Sequence, residues 1–186
     1  AGNAAEAARL AAMEDSYGRY VLVVDGSIPT QEQESWSTIA GQTNLQMLAE
    51  TVEGAALVVA VGTCASFGGL PAATALYASN PNQSSAAGVA ELMDRGAIAS
   101  RPLVNVPGCP PLPEVISGTI AHFIAYGDLP ELDALSRPKA YFGKTVHDTC
   151  PRRSFFEEGK FALAYDDIGA KRGYCLLKLG CNGPET

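Results

Sequence analysis

One pattern, written twice, does most to restrict the fold of this chain: a short aliphatic run followed, at the third residue beyond it, by a cysteine. Leu57-Val58-Val59-Ala60-Val61 runs into Gly62-Thr63-Cys64, and Leu103-Val104-Asn105-Val106 runs into Pro107-Gly108-Cys109. Uninterrupted apolar runs of this length, rich in β-branched residues, read as strands buried on both faces, as in parallel sheets. Residues 89–95 between them and residues 115–126 after them read as helices. Strands alternating with helices predict an α/β fold, an open parallel sheet with helices on both faces. In such sheets ligands gather beyond the carboxyl ends of the strands, where loops would carry Cys64 and Cys109.

The flanking sequence extends this order. Residues 4–13 are alanine-rich and helical by propensity, and Tyr17-Gly18 breaks the run. Residues 20–24 read as a buried strand ending at Asp25-Gly26, and residues 27–36 as a Pro-containing loop. Leu45, Leu48, Ala49 and Val52 then fall at helical spacing within residues 43–52. After Gly127 the character changes: Arg137-Pro138 opens a stretch with one short strand-like run, residues 140–142, and otherwise turns, aromatics and three cysteines. The chain therefore divides into residues 1–134, an α/β domain, and residues 135–186, an irregular region with too little apolar periodicity for a core, which a metal would have to organise.

With 186 residues, 47% of them hydrophobic, the chain can bury a sizeable core. No apolar stretch approaches the roughly 20 residues of a membrane span, so direct membrane crossing is not expected. A net charge of −7 argues against a nucleic-acid surface, and Arg152-Arg153 is too short a basic cluster to change that. Five cysteines, an odd number, fit poorly with a closed disulfide framework, so thiolate chemistry is the better reading.

That chemistry concentrates in the last region. His147-x2-Cys150 is followed, after 24 residues, by Cys175-x5-Cys181. One imidazole and three thiolates form a full set of four ligands for tetrahedral zinc or for an iron–sulfur cluster, and spacing alone does not choose between them. Gly173, Gly180 and Gly183 let the backbone fold tightly around a cofactor. The bland reading, unrelated core thiols and a surface histidine, is weaker because this stretch would fold poorly unaided. Cys64 and Cys109 alone do not close a four-ligand site. His122, inside an apolar helix, reads as a core histidine rather than a ligand. Trp36 and Ile39 read equally as a partner anchor or as a plug for the core. No phosphate loop, dinucleotide fingerprint or nucleophile elbow is present.

Several strings then stand in order: Val23-Val24-Asp25-Gly26-Ser27-Ile28-Pro29-Thr30, Gly62-Thr63-Cys64-Ala65 with Phe67-Gly68-Gly69, Pro107-Gly108-Cys109-Pro110-Pro111, Val146-His147-Asp148-Thr149-Cys150-Pro151-Arg152, and Gly173-Tyr174-Cys175-Leu176 with Gly180-Cys181-Asn182-Gly183-Pro184. Across essentially the whole chain they resemble the small subunit of nickel-iron hydrogenases. The resemblance implies a flavodoxin-like domain followed by an irregular iron–sulfur region. Carried over by position, Cys64 and Cys109 match two ligands of the proximal 4Fe-4S cluster, while His147, Cys150, Cys175 and Cys181 match the full set of the distal 4Fe-4S cluster. The other two proximal ligands, from a Cys-x-x-Cys loop, would lie before Ala1, and the cysteines of a medial 3Fe-4S cluster after Thr186, so the chain reads as a central portion. Asp25 stands where the family usually has Glu, Leu112 where it has Asn, and Asn182 where it has Lys.

The resemblance further implies a large-subunit partner holding the nickel-iron centre that splits H2, and an external electron acceptor such as a cytochrome. It places the chain in the periplasm or at a membrane through a partner. The competing reading is a zinc-stabilised binding module without redox function, in which Cys64 and Cys109 are core residues. The related subunit of respiratory NADH-quinone reductases shares the first domain but is not expected to carry the His147 region.

Overall fold

A computed structural model describes residues 2–30, 37–73 and 85–185. The chain forms two compact units, Ala1–Pro138 and Lys139–Thr186.

The first unit opens with α1 (Gly2–Asp15), which contributes no buried residue. A helix so poor in large apolar side chains has little to bury, so polar bonds hold it: the Arg9 guanidinium reaches Glu6, Glu50 and Thr51. β1 (Tyr20–Asp25) follows, and then a small hairpin, β2 (Thr38–Ile39) and β3 (Gln42–Thr43). α2 (Asn44–Val52) starts from a capping box: Thr43 Oγ1 accepts from Gln46 N at 3.2 Å, and Gln46 Oε1 accepts from Thr43 N at 3.1 Å.

β4 (Ala55–Val61) is the middle strand of a parallel sheet of order β1-β4-β5, β5 being Leu103–Val106. Val23, Val59 and Val104 are register partners and so share one face, while Leu22, Val58 and Leu103 share the other. On that second face Leu48 and Val52 of α2 join Val58, Ala60 and the buried Val89 and Leu92 of α5 (Val89–Asp94) in one core. Leu57, Val59, Val104 and Val106, on the opposite face, are equally sealed from solvent. The apolar runs thus behave as expected of a sheet covered on both sides.

Several expectations need correction. Residues 20–24 are not a fully buried strand: only Val24, on the face that joins the core with Ala60, is buried, and Val23 on the opposite face is 47% exposed. Cys64 sits not in a loop but on α3 (Gly62–Phe67), a single turn and a half entered through Gly62 at φ +87°. A second short helix, α4 (Gly69–Ala73), follows it. His122, on α6 (Pro113–Tyr126), is half-buried rather than in the core, its ring 4.9 Å from that of Tyr126. Ile39 is 52% exposed, and Trp36 lies outside the described residues.

The second unit contains α7 (Lys139–Phe142), α8 (Arg153–Glu157), α9 (Ile168–Lys171) and a 3-10 turn at Leu177–Leu179. The strand expected at residues 140–142 is helical instead: with no strand beside it among the described residues, the run satisfies its backbone locally, Gly143 N donating to Lys139 O at 2.8 Å. Among the described residues no helix is long and apolar enough to cross a membrane.

Asp167 organises much of this unit's middle. It caps α9, its Oδ1 accepting from Ala170 N at 2.5 Å and its Oδ2 from Leu163 N at 2.8 Å. The N–H of Ala170 first, then that of Leu163, holds its carboxyl below the ordinary value of 3.8. A carboxyl lowered on folding stabilises fully above its unfolded pKa and loses that contribution as pH falls through the folded value. Thermal unfolding of the second unit should therefore show an acid-side loss of stability below pH 3.8 that Asp167→Asn flattens, at the cost of a lower melting temperature at neutral pH.

Candidate metal centre

The second unit builds its donor set from two turns. In the first, Thr145 and Asp148 bond reciprocally: Asp148 Oδ2 accepts from Thr145 N at 2.8 Å and Thr145 Oγ1 accepts from Asp148 N at 3.2 Å. That closed turn carries His147, and Cys150 N donates to the His147 carbonyl at 3.2 Å. In the second, Cys175 is held by its backbone, donating to Lys160 O at 3.1 Å and accepting from Ala162 N at 2.9 Å. The 3-10 turn ends at Gly180, φ +92°, and delivers Cys181. Gly183 closes the ring: its carbonyl accepts from His147 N at 3.0 Å.

His147, Cys150, Cys175 and Cys181 all line one cavity of about 200 Å³. Each of the four residues expected from the sequence as a donor is thus on the wall of one cavity. Two sulfurs also accept backbone N–H groups, Cys150 from Arg152 at 3.4 Å and Cys181 from Gly183 at 3.3 Å. A side chain at position 183 would place Cβ 3.3 Å from Cys181 Sγ, so glycine keeps that approach open. All five thiols are free, and among the described residues no three His, Cys, Asp or Glu side chains converge as a single ion requires.

Two further wall residues escaped the ligand reading. Phe156 packs edge-on against the His147 ring, centroids 4.6 Å apart, and Arg152 joins the two turns through a bond to the Tyr174 carbonyl. Adjacency to Cys150 in the string Cys150-Pro151-Arg152 was the only sequence signal for the second, and the first had none.

In the first unit Cys64 and Cys109 leave the ends of neighbouring strands, since Val61 and Val106 are register partners. The segments are tied just before each cysteine: Thr63 N donates to Gly108 O at 2.9 Å, and Gly108 N donates to Thr63 Oγ1 at 3.1 Å. Cys64 is half-buried and Cys109 exposed. Gly69, at φ +59°, lies so close that a Cβ there would stand 2.5 Å from Cys64 Sγ. Gly88 supports α3 from the other side, where an added Cβ would meet Ser66 O at 2.8 Å and Phe67 N at 2.9 Å. Both are backbone atoms that cannot swing aside, so Gly88→Ala should cost about 1–3 kcal/mol, read as a lower urea midpoint.

Residues 3–123 match the family model described as NADH ubiquinone oxidoreductase, 20 Kd subunit. Residues 142–186, which hold the four-donor cavity, match the C-terminal model of the NiFe/NiFeSe hydrogenase small subunit. The chain belongs to the nickel-iron hydrogenase small-subunit family. It is 40% identical over 186 residues to the uptake hydrogenase small subunit of Azotobacter vinelandii, covering 100% of this chain and 49% of that one. To the quinone-reactive Ni/Fe-hydrogenase small chain of Wolinella succinogenes it is 41% identical over 177 residues, covering 94% and 47%. The chain thus spans about half the length of these hydrogenase relatives. Among solved structures, a reduced, active form of the Ni-Fe-Se hydrogenase from Desulfomicrobium baculatum superposes with a TM-score of 0.82 at 29% identity, covering 100% of this chain and 68% of that one. The actinobacterial-type NiFe-hydrogenase of Ralstonia eutropha H16 gives 0.76 at 30% identity, covering 99% and 55%. Membership in the hydrogenase family implies iron–sulfur clusters as the cofactor class.

Proposed function

We propose that the chain is an electron relay of a nickel-iron hydrogenase, with a 4Fe-4S cluster in the cavity of His147, Cys150, Cys175 and Cys181 and with Cys64 and Cys109 as two of four ligands to a proximal 4Fe-4S cluster. The observation that carries this reading is the meeting of one imidazole and three thiols around a single cavity of about 200 Å³. Such clusters supply one-electron storage at a potential set by ligands, hydrogen bonds and burial. The chain's own residues do the tuning. Three thiolates and a neutral imidazole leave less negative charge on the site than four thiolates, and the Arg152 and Gly183 N–H groups draw density from two sulfurs. Both effects raise the potential.

In this reading electrons pass between an H2-splitting centre on a large subunit and an external acceptor such as a cytochrome, and the assembly lies in the periplasm or at a membrane through a partner. The test is iron, sulfide and zinc content of the anaerobically purified chain, with low-temperature EPR before and after dithionite. Iron and sulfide with the signal of one reduced 4Fe-4S cluster would support the relay. One zinc and no sulfide would replace it with a zinc-stabilised binding module.

A further inference from the structure

The two turns that form the cavity are far apart in sequence; the His147 N–Gly183 O bond at 3.0 Å and the Phe155–Tyr174 ring contact at 5.2 Å join them, with few fully buried side chains in support. Ala162 and Cys175 are the buried apolar residues among the described residues of the second unit. Arg152 bridges the gap from both of its ends. Its backbone N–H donates to Cys150 Sγ at 3.4 Å, on the first turn. Its guanidinium Nη1 donates to the carbonyl of Tyr174 at 2.9 Å, one residue before Cys175 on the second. Its side chain forms part of the cavity wall.

We infer that Arg152 is a positioning residue for this site: its side chain, through the Tyr174 carbonyl, holds the His147–Cys150 turn in register with the Cys175–Cys181 turn and so preserves the N–H···S bond on Cys150. The inference rests on reading the cavity as a cluster site. A planar, permanently charged guanidinium suits the task because it keeps its donors in a fixed geometry. Losing the clamp lets the first turn relax, weakens the N–H donation to Cys150, and returns electron density to its sulfur. Higher density on a ligating sulfur lowers a cluster's potential.

The test compares the unaltered 186-residue chain with Arg152→Met, which retains an apolar stem without a donor, and Arg152→Lys, which retains a charge and a donor. Hydrogen exchange on the chains as purified reads the clamp, since the Cys175 amide is bonded to Lys160 O. An EPR-monitored redox titration reads its effect on the cluster. Faster exchange at the amides of residues 174–176 and a downward shift of midpoint potential are expected for Arg152→Met, both reversed by lysine. Unchanged exchange and potential in Arg152→Met would overturn the proposal. Should that variant fail to fold, Arg152→Gln, whose shorter amide donor cannot span to the Tyr174 carbonyl, decides: faster exchange at residues 174–176 with a lower potential upholds the clamp, and unchanged exchange and potential overturn it. An unaltered chain that takes up no iron and sulfide would refute the cluster reading, while the exchange comparison still judges the clamp by the same two outcomes.

Discussion

Cys175→Ser is expected to bring the iron and sulfide of the second unit to background and to leave that unit open to proteolysis. Cys175 is the buried member of the donor set, and its backbone is the hinge between the 160–162 segment and the second turn. Serine can keep the two backbone bonds but is a much harder, poorly ionised ligand, so the cavity loses one of its three soft donors. The unit has little core to fall back on, which couples ligand loss to unfolding. Cys181→Ser, at an exposed position, provides the comparison. It should lose iron while the unit resists protease better than Cys175→Ser does. Limited proteolysis read alongside iron and sulfide assays checks both, and full iron in Cys175→Ser would remove it from the ligand set.

Val59→Asp should abolish the first unit. Val59 has no exposed surface, and an aspartate there has no partner with which to offset desolvation, so the loss is on the order of 4 kcal/mol or more. A domain has only about 5–15 kcal/mol of stability in all. Val23→Asp is the control that isolates the cause. Val23 is the register partner of Val59 on the same face of the sheet, yet it is 47% exposed at the sheet edge, so the carboxylate can reach water and the cost should fall to about 1 kcal/mol. Urea unfolding followed by circular dichroism would separate the two, and equal losses would mean that burial is not the deciding factor.

Most of the framework was legible because it follows from local patterns. The runs at residues 57–61 and 103–106 are apolar enough to read as buried strands, which they are from Leu57 to Val61 and from Val104 to Val106, and Leu48 and Val52 fall on the buried face of α2 as their spacing requires. The short helices α3 and α7 were not, since a run of four to six residues has no period to read and its backbone simply pairs wherever a partner is nearest. β1 was read as more buried than it is because burial of a strand depends on its neighbours, not on its own residues. The candidate donors were legible as residue types, but their placement around one cavity was not. The contact from Arg152 to Tyr174 links positions 22 apart, and the tie from Thr63 to Gly108 links positions 45 apart; neither leaves a trace in local sequence.

That second tie has a consequence for the order in which the protein can be made. On a chain emerging from the ribosome, Thr63 appears long before Gly108, and until β5 has been synthesised and has docked beside β4 the Thr63 N–H and hydroxyl lack the partners that fix the approach to Cys64. Early delivery of iron would therefore meet a thiol whose orientation is still undecided. The mutual bonds order the approaches to Cys64 and Cys109 together, so that on the proposed cluster reading metal loading at this end of the sheet would be a late, post-translational step rather than one that accompanies the folding of the first strands.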